Sequence, residues 1–270
     1  MSDFDYVTVG HVTVDVLEPK GIRRPGGGAF YSALQAARLG LRTLIVTKGE
    51  PGGLEELLAP YRGELEVEIL PAKQTTTLAT AGMGKQRRQR LLAWAGAISE
   101  PLAVDTSILH LAAVARETPS SWRGATQFVG VTPQGWMRAW DEDGEISHVA
   151  LDRKALPERF DALAISELER PWCEQVITGS LSAVTAGSSP TKILLRDGSQ
   201  IHIPVPTAAQ PREDLGAGDV FAAAFFVALY EGRSPAQAAM YGNAAAVVRI
   251  AGEGPGAIGD RAAIATAPRR

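Results

Sequence analysis

Short apolar runs set off by glycines and prolines fill most of the chain, and long helical runs fill its C-terminal end. Asp5-Tyr6-Val7-Thr8-Val9-Gly10 reads as a buried strand running into a glycine. Residues 25–40 open on three glycines, continue as an alanine-rich helix and stop at Gly40, and a strand is predicted over 42–47. From about residue 104 the strand-like segments 107–111, 127–131 and 162–166 recur, with a helix predicted to start at Thr118-Pro119. This alternation predicts an α/β fold whose parallel sheet is covered by helices on both faces. Residues 192–195 and 200–203 flank Arg196-Asp197-Gly198-Ser199, a strong hairpin signal. The run from Asp219 to Tyr230 is apolar almost all round, as a central buried helix is. A second helix is predicted from Ser234-Pro235, an N-cap followed by proline, through Asn243 to about Ile250.

Residues 74–81 and 90–94 read as two strands joined by a mobile loop that holds Lys85, Arg87 and Arg88, with Arg90 at its far end. Such a basic run is either a solvated face or a source of one arginine reaching over a site to an anionic group.

At 270 residues the chain suits one large or two small domains, and 45% apolar residues suffice for a core. A net charge of −3 gives no footprint for nucleic acid. One cysteine, Cys173, excludes an internal disulfide framework and fits a reducing compartment, most simply as an inert buried thiol. The four histidines show no metal-ligand spacing. With neither a signal peptide nor a membrane-length apolar run, the expectation is a soluble cytoplasmic protein.

Candidate chemistry concentrates in Glu213-Asp214-Leu215-Gly216-Ala217-Gly218-Asp219-Val220-Phe221. Small residues let a backbone approach a ligand, and the helix that follows leaves N–H groups free in its first turn. These donors and the helix dipole favour an anion such as a phosphate. Asp219 is placed to accept a proton from a hydroxyl attacking that phosphate, although a loop with an acidic cap shares the pattern. Neither a P-loop nor a Gly-x-Gly-x-x-Gly turn is present here.

The Gly216-Ala217-Gly218-Asp219-x-Phe221 core resembles the C-terminal signature of the ribokinase-like (PfkB-type) carbohydrate kinases. That signature reads Asp-Thr-Thr/Asn-Gly-Ala-Gly-Asp-x-Phe, so Glu213, Asp214 and Leu215 depart from it. Residues 25–40 resemble the family's N-terminal Gly-Gly-x-x-x-Asn motif and the helix ending Ala-Arg-Leu-Gly, with Gly26 and Gly27 on the paired glycines and Tyr31 replacing the asparagine. Residues 74–94 weakly resemble the inositol-kinase branch.

The resemblance implies a three-layer α/β/α fold with a mostly parallel sheet, one domain over 1–270, and a reduced β lid from about 11–25 and 74–96. Residues 16–25 look too short and proline-flanked for a hairpin with long strands. The implied activity is ATP-dependent phosphorylation of a hydroxyl on a small sugar, polyol (inositol-like) or nucleoside. Asp219 would be the base, with backbone donors from Gly216, Ala217 and Gly218. Asp15, Gly26, Gly27, Tyr31 and Arg90 would hold the acceptor, although Tyr31 could equally pack under its helix. Thr185 and Gly187, in a strand ending Thr-x-Gly, would lie along the nucleotide. Asn243 would sit near adenine or serve helix packing, and Gly254 belongs to a glycine loop closing round the nucleotide. Glu169 would organise Mg2+ through water or merely cap its helix, and some relatives bind a monovalent cation by the glycine loop.

The expected partners are the hydroxyl substrate and nucleotide, with no nucleic acid or membrane, in a monomer or weak homodimer. The alternatives are a catalytically weak nucleotide-binding regulatory protein on a kinase fold, or a related synthase or hydroxymethylpyrimidine-type kinase on the same scaffold.

Overall fold

A computed structural model describes residues 3–99, 102–207 and 211–267. Its nine-stranded sheet runs Gln200–Ile203, Ser189–Leu194, Ser182–Ala186, Ala162–Ser166, Thr126–Thr132, Thr106–Ala112, Phe4–Val9, Thr43–Gly49, Glu66–Pro71. The seven strands from Ser182–Ala186 to Glu66–Pro71 are parallel, and the hairpin at the opposite edge is antiparallel. Parallel strands need long crossovers, and both faces must be covered.

The helices are α1 (Gly28–Arg38), α2 (Pro51–Leu58), α3 (Arg170–Ile177), α4 (Ala217–Tyr230), α5 (Pro235–Ile250) and α6 (Arg261–Ala265). Nine residues of α4, Val220 to Ala228, are buried, so it is the central helix its all-round apolar sequence predicts. α4 packs between α1 and α5, and Gly242 lets α5 approach so closely that a Cβ there would lie 2.9 Å from the Phe221 ring. α5 starts with a full capping box between Ser234 and Gln237.

The two faces are covered differently. One packs against α1, α2, α4, α5 and α6. Among the described residues the other has α3 as its one α-helix, and Ile98, Leu102, Val104, Leu151 and Leu156, with Trp136 and Met137 from the 3-10 turn Gln134–Met137, complete its core. The helix predicted from Thr118-Pro119 does not form. In its place Glu117, 1% exposed, draws the chain into a turn by accepting from the N–H groups of His11 at 2.9 Å, Val114 at 2.9 Å and Ala115 at 2.6 Å. A carboxylate satisfied by three backbone donors competes directly with helix formation.

A second sheet, ordered Ile22–Gly26, Thr13–Leu17, Thr77–Ala81, Arg88–Ala93, lies beside the carboxyl ends of the parallel strands. Residues 13–26 therefore do form a hairpin, with five residues in each strand. Both prolines are accommodated: Pro19 lies in the turn, and Pro25 lies on the edge strand, where a missing donor costs little.

Candidate active site

α1 and α4 both begin at the carboxyl-end rim of the sheet, where ligands bind in open α/β folds. Neither has a side-chain cap: Gly27 precedes α1 at φ 88°, and Gly216 precedes α4 in the left-handed conformation at φ 78°. Among the described residues their first-turn donors are therefore unclaimed by side-chain caps. Ala217 N–H is not among them, because it donates to Asp214 O at 3.2 Å. The N–H groups of Gly218 and Asp219 have no backbone partner among the described residues, and Gly218 is exposed.

Asp219 lies in the first turn of α4, next to the start of α1: a Cβ on Gly28 would come 3.0 Å from its Oδ1. Burial and then the charge of Glu169 push its carboxyl up to about 7, with Arg138 opposing. It still keeps part of its surface open to solvent. Such a carboxyl is tuned for proton transfer near neutrality.

Asp15, 2% exposed, sits on the strand Thr13–Leu17 with Gly26 directly beneath it, where a Cβ would meet Oδ2 at 2.0 Å. Burial pushes it up to about 6, against the 2.7 Å bond from Thr13 Oγ1 and the charges of Arg24, Arg138 and Arg87. Asp15, Glu169, Arg138 and Arg87 all act on the charge of Asp219, so the structure gathers these groups around one cleft.

Arg138 carries no signature of its own in the sequence reading, yet it is central. Only 6% exposed, it donates to Val114 O at 2.8 Å and to Gln89 Oε1 at 2.7 Å, joining the body to the second sheet. Burial lowers its pKa, while the charges of Glu169, Asp219, Glu117 and Asp15 oppose that. An arginine inside the apolar run Trp136-Met137-Arg138-Ala139-Trp140 was the available signal.

The structure moves several expected residues away from the cleft. Tyr31 is 1% exposed and packs under Gly216, where a Cβ would lie 2.3 Å from its ring. It supports the turn and does not present its ring to a ligand. Arg90 pairs with Glu18 at 3.3 Å and Glu145 at 3.6 Å, while the basic groups that bear on both Asp15 and Asp219 include Arg87 and Arg138. Asn243 is 3% exposed, accepting from Thr191 Oγ1 at 2.7 Å and donating to Pro204 O at 3.2 Å, so its amide pins α5 to the sheet. Gly254 N–H donates to Glu213 at 3.4 Å. Thr185, near the end of the strand Ser182–Ala186, and Gly187, in the turn after it, lie at the same rim, with Thr185 Oγ1 donating to Ile165 O at 3.3 Å.

Glu169 accepts from Ser166 N–H at 2.7 Å and Gln134 Nε2 at 2.8 Å. Among the described residues no group of three or more His, Cys, Asp or Glu could hold a metal ion. Also among them, no helix is long and apolar enough to cross a membrane. Cys173 is buried, and burial pushes its thiol up to about 12.

Residues 171–260 match the family described as pfkB family carbohydrate kinase. No curated protein matches the chain. Among solved structures it is similar to a pyrophosphate-dependent kinase in the ribokinase family complexed with a pyrophosphate analog and myo-inositol: TM-score 0.77, 19% identity, 93% of this chain and 96% of that one. The ribokinase of Arabidopsis thaliana complexed with ribose and ATP gives a TM-score of 0.71 at 18% identity, over 98% of both chains. The Burkholderia thailandensis nucleoside kinase in complex with inosine gives 0.74 at 16% identity, over 96% of this chain and 95% of that one. In its C-terminal third by sequence, and throughout by fold, the chain resembles the ribokinase-like (PfkB-type) carbohydrate kinases.

Proposed function

We propose that the protein is a phosphotransferase acting on a hydroxyl of a small sugar, polyol or nucleoside. The observation that carries this is Asp219: a carboxyl held near 7, in the first turn of an uncapped helix, beside open backbone donors. In this reading the Asp219 carboxylate takes the proton of the acceptor hydroxyl. The acceptor's hydroxyl oxygen then forms the bond to the terminal phosphorus of the donor as the bridging P–O bond breaks, and the bridging oxygen leaves with the rest of the donor, ADP in the case of ATP. The N–H groups of Gly218 and Asp219 face the charge that builds on the phosphoryl oxygens. Asp15, fixed by Thr13 and set on Gly26, accepts from an acceptor hydroxyl, and Arg138 holds both carboxylates at a workable charge.

Magnesium would neutralise the donor phosphates. The donor set fits an ion carried in by them: each Glu169 oxygen already accepts one protein hydrogen bond, which holds the carboxylate in place and leaves a lone pair that could accept from one of the ion's waters.

ATP is the donor favoured by the Thr185–Gly187 rim. A specific observation also favours a second donor, pyrophosphate: the Asn243 amide expected near adenine is consumed inside the protein. The test is phosphorus NMR of the protein with MgATP or magnesium pyrophosphate against inositols, hexoses, pentoses and nucleosides. A phosphorylated acceptor supports the reading and names its donor. No product from any pair, with ATP still bound, favours a regulatory nucleotide-binding protein.

A further inference from the structure

Arg249, in the last turn of α5, is 0% exposed. Its guanidinium donates to Leu215 O at 2.7 Å, to Gly252 O at 3.4 Å and to the Glu213 carboxylate. Glu213 also accepts from Arg24 at 2.7 Å and from Gly254 N–H at 3.4 Å. Burial would raise the Glu213 carboxyl, but its bonds to Arg24 and Arg249 hold it below the usual carboxylate range. The Tyr31 ring, which supports Gly216 from below, lies 5.6 Å from the Arg249 guanidinium carbon. The segment entering the Gly216–Asp219 turn and the glycine loop leaving α5 are thus gathered on one buried positive centre.

A monovalent cation placed by this loop would need the same oxygens, a carboxylate and two carbonyls. They do not fit one here: the guanidinium already holds all three and would repel a second positive charge. We propose that Arg249 is the resident cation of this loop, positioning the turn that carries Asp219, and that the protein requires no monovalent ion. This rests on the kinase reading only in its kinetic arm.

The test compares potassium chloride with choline chloride at equal ionic strength. Thermal stability and acceptor-dependent rate of the wild type should be the same in both salts. Arg249→Met should lower Tm by about 10 °C. Potassium, and not choline, should restore part of that loss by reaching the vacated oxygens. Arg249→Lys, which keeps the charge, should remain indifferent to the salt even if Arg249→Met does not fold. Wild-type stability or rate that rises with potassium would overturn the proposal. So would an Arg249→Met protein with wild-type Tm, or one that choline restores equally. The Tm arm needs no turnover, so a failed kinase reading stays distinguishable from a failed resident cation.

Discussion

In the phosphotransferase reading, Asp219 and the charges around it make opposite demands on stability and activity. The Asp219 carboxyl is raised from an ordinary 3.8 to about 7, and Asp15 to about 6. The folded state therefore holds these protons more tightly than the unfolded one. Their contribution to stability is fully present below about 4 and is lost as pH rises through 6 to 7. Asp219→Asn removes its share, so the variant should melt above the wild type at pH 8, by a few degrees, with the gap closing towards pH 4.5. Thermal melts across that range check this, and a gap that widens on acidification would refute it. Arg138 opposes the shift of Asp219, so Arg138→Met should raise the apparent pKa of turnover above about 7. The same variant should lose on the order of a hundredfold in kcat. Unchanged pH dependence in Arg138→Met would leave the arginine a purely structural link between Val114 and Gln89.

At the level of elements, turn and helix geometry carry the site. Gly216 is left-handed at φ 78° and sits on the Tyr31 ring, so Gly216→Ala combines backbone strain with a collision at 2.3 Å. It should destabilise the protein by about 3 kcal/mol and misplace Asp219. The Tyr31 hydroxyl, in contrast, is buried and has no hydrogen-bond partner among the described residues, so Tyr31→Phe should leave stability, KM and kcat close to wild type. An increase in acceptor KM in Tyr31→Phe would restore the binding role that the sequence suggested. The loop between the strands Thr77–Ala81 and Arg88–Ala93 of the second sheet is fastened by Asp214, which accepts from Gly84 N–H at 2.8 Å and from Arg87. Both ion-pair partners keep about a quarter of their side chains exposed, so the latch is weak. Asp214→Asn should raise acceptor KM about fivefold with little change in kcat.

Over the whole molecule, legibility followed the locality of the signal. Strand alternation, the glycine-opened α1, the all-apolar α4 and the capped α5 are local patterns, and the fold they predict is the one observed. The helix after Ala112 failed because Glu117 satisfies backbone donors from His11, Val114 and Ala115, and His11 lies over a hundred residues away in sequence. Asp219 could be singled out because its glycine turn is contiguous. Arg138 shows locally only as an arginine in an apolar run, and its role depends on acids from four separate segments. Tyr31 and Asn243 carried plausible polar groups, but only the packing of α1 and α5 reveals that both point into protein. The departures Glu213 and Asp214 also make sense in three dimensions, as each binds an arginine brought from the second sheet, Arg24 and Arg87.

The measurement that bears most directly on the central claim is the pH dependence of acceptor-dependent phosphoryl transfer in wild type and Asp219→Asn. The wild type should rise to a plateau with an apparent pKa near 7, while Asn, which cannot take the proton, should lose at least about a hundredfold at every pH. An Asp219→Asn protein that keeps wild-type turnover, or a wild-type rate that is flat across that range, would contradict Asp219 as the base.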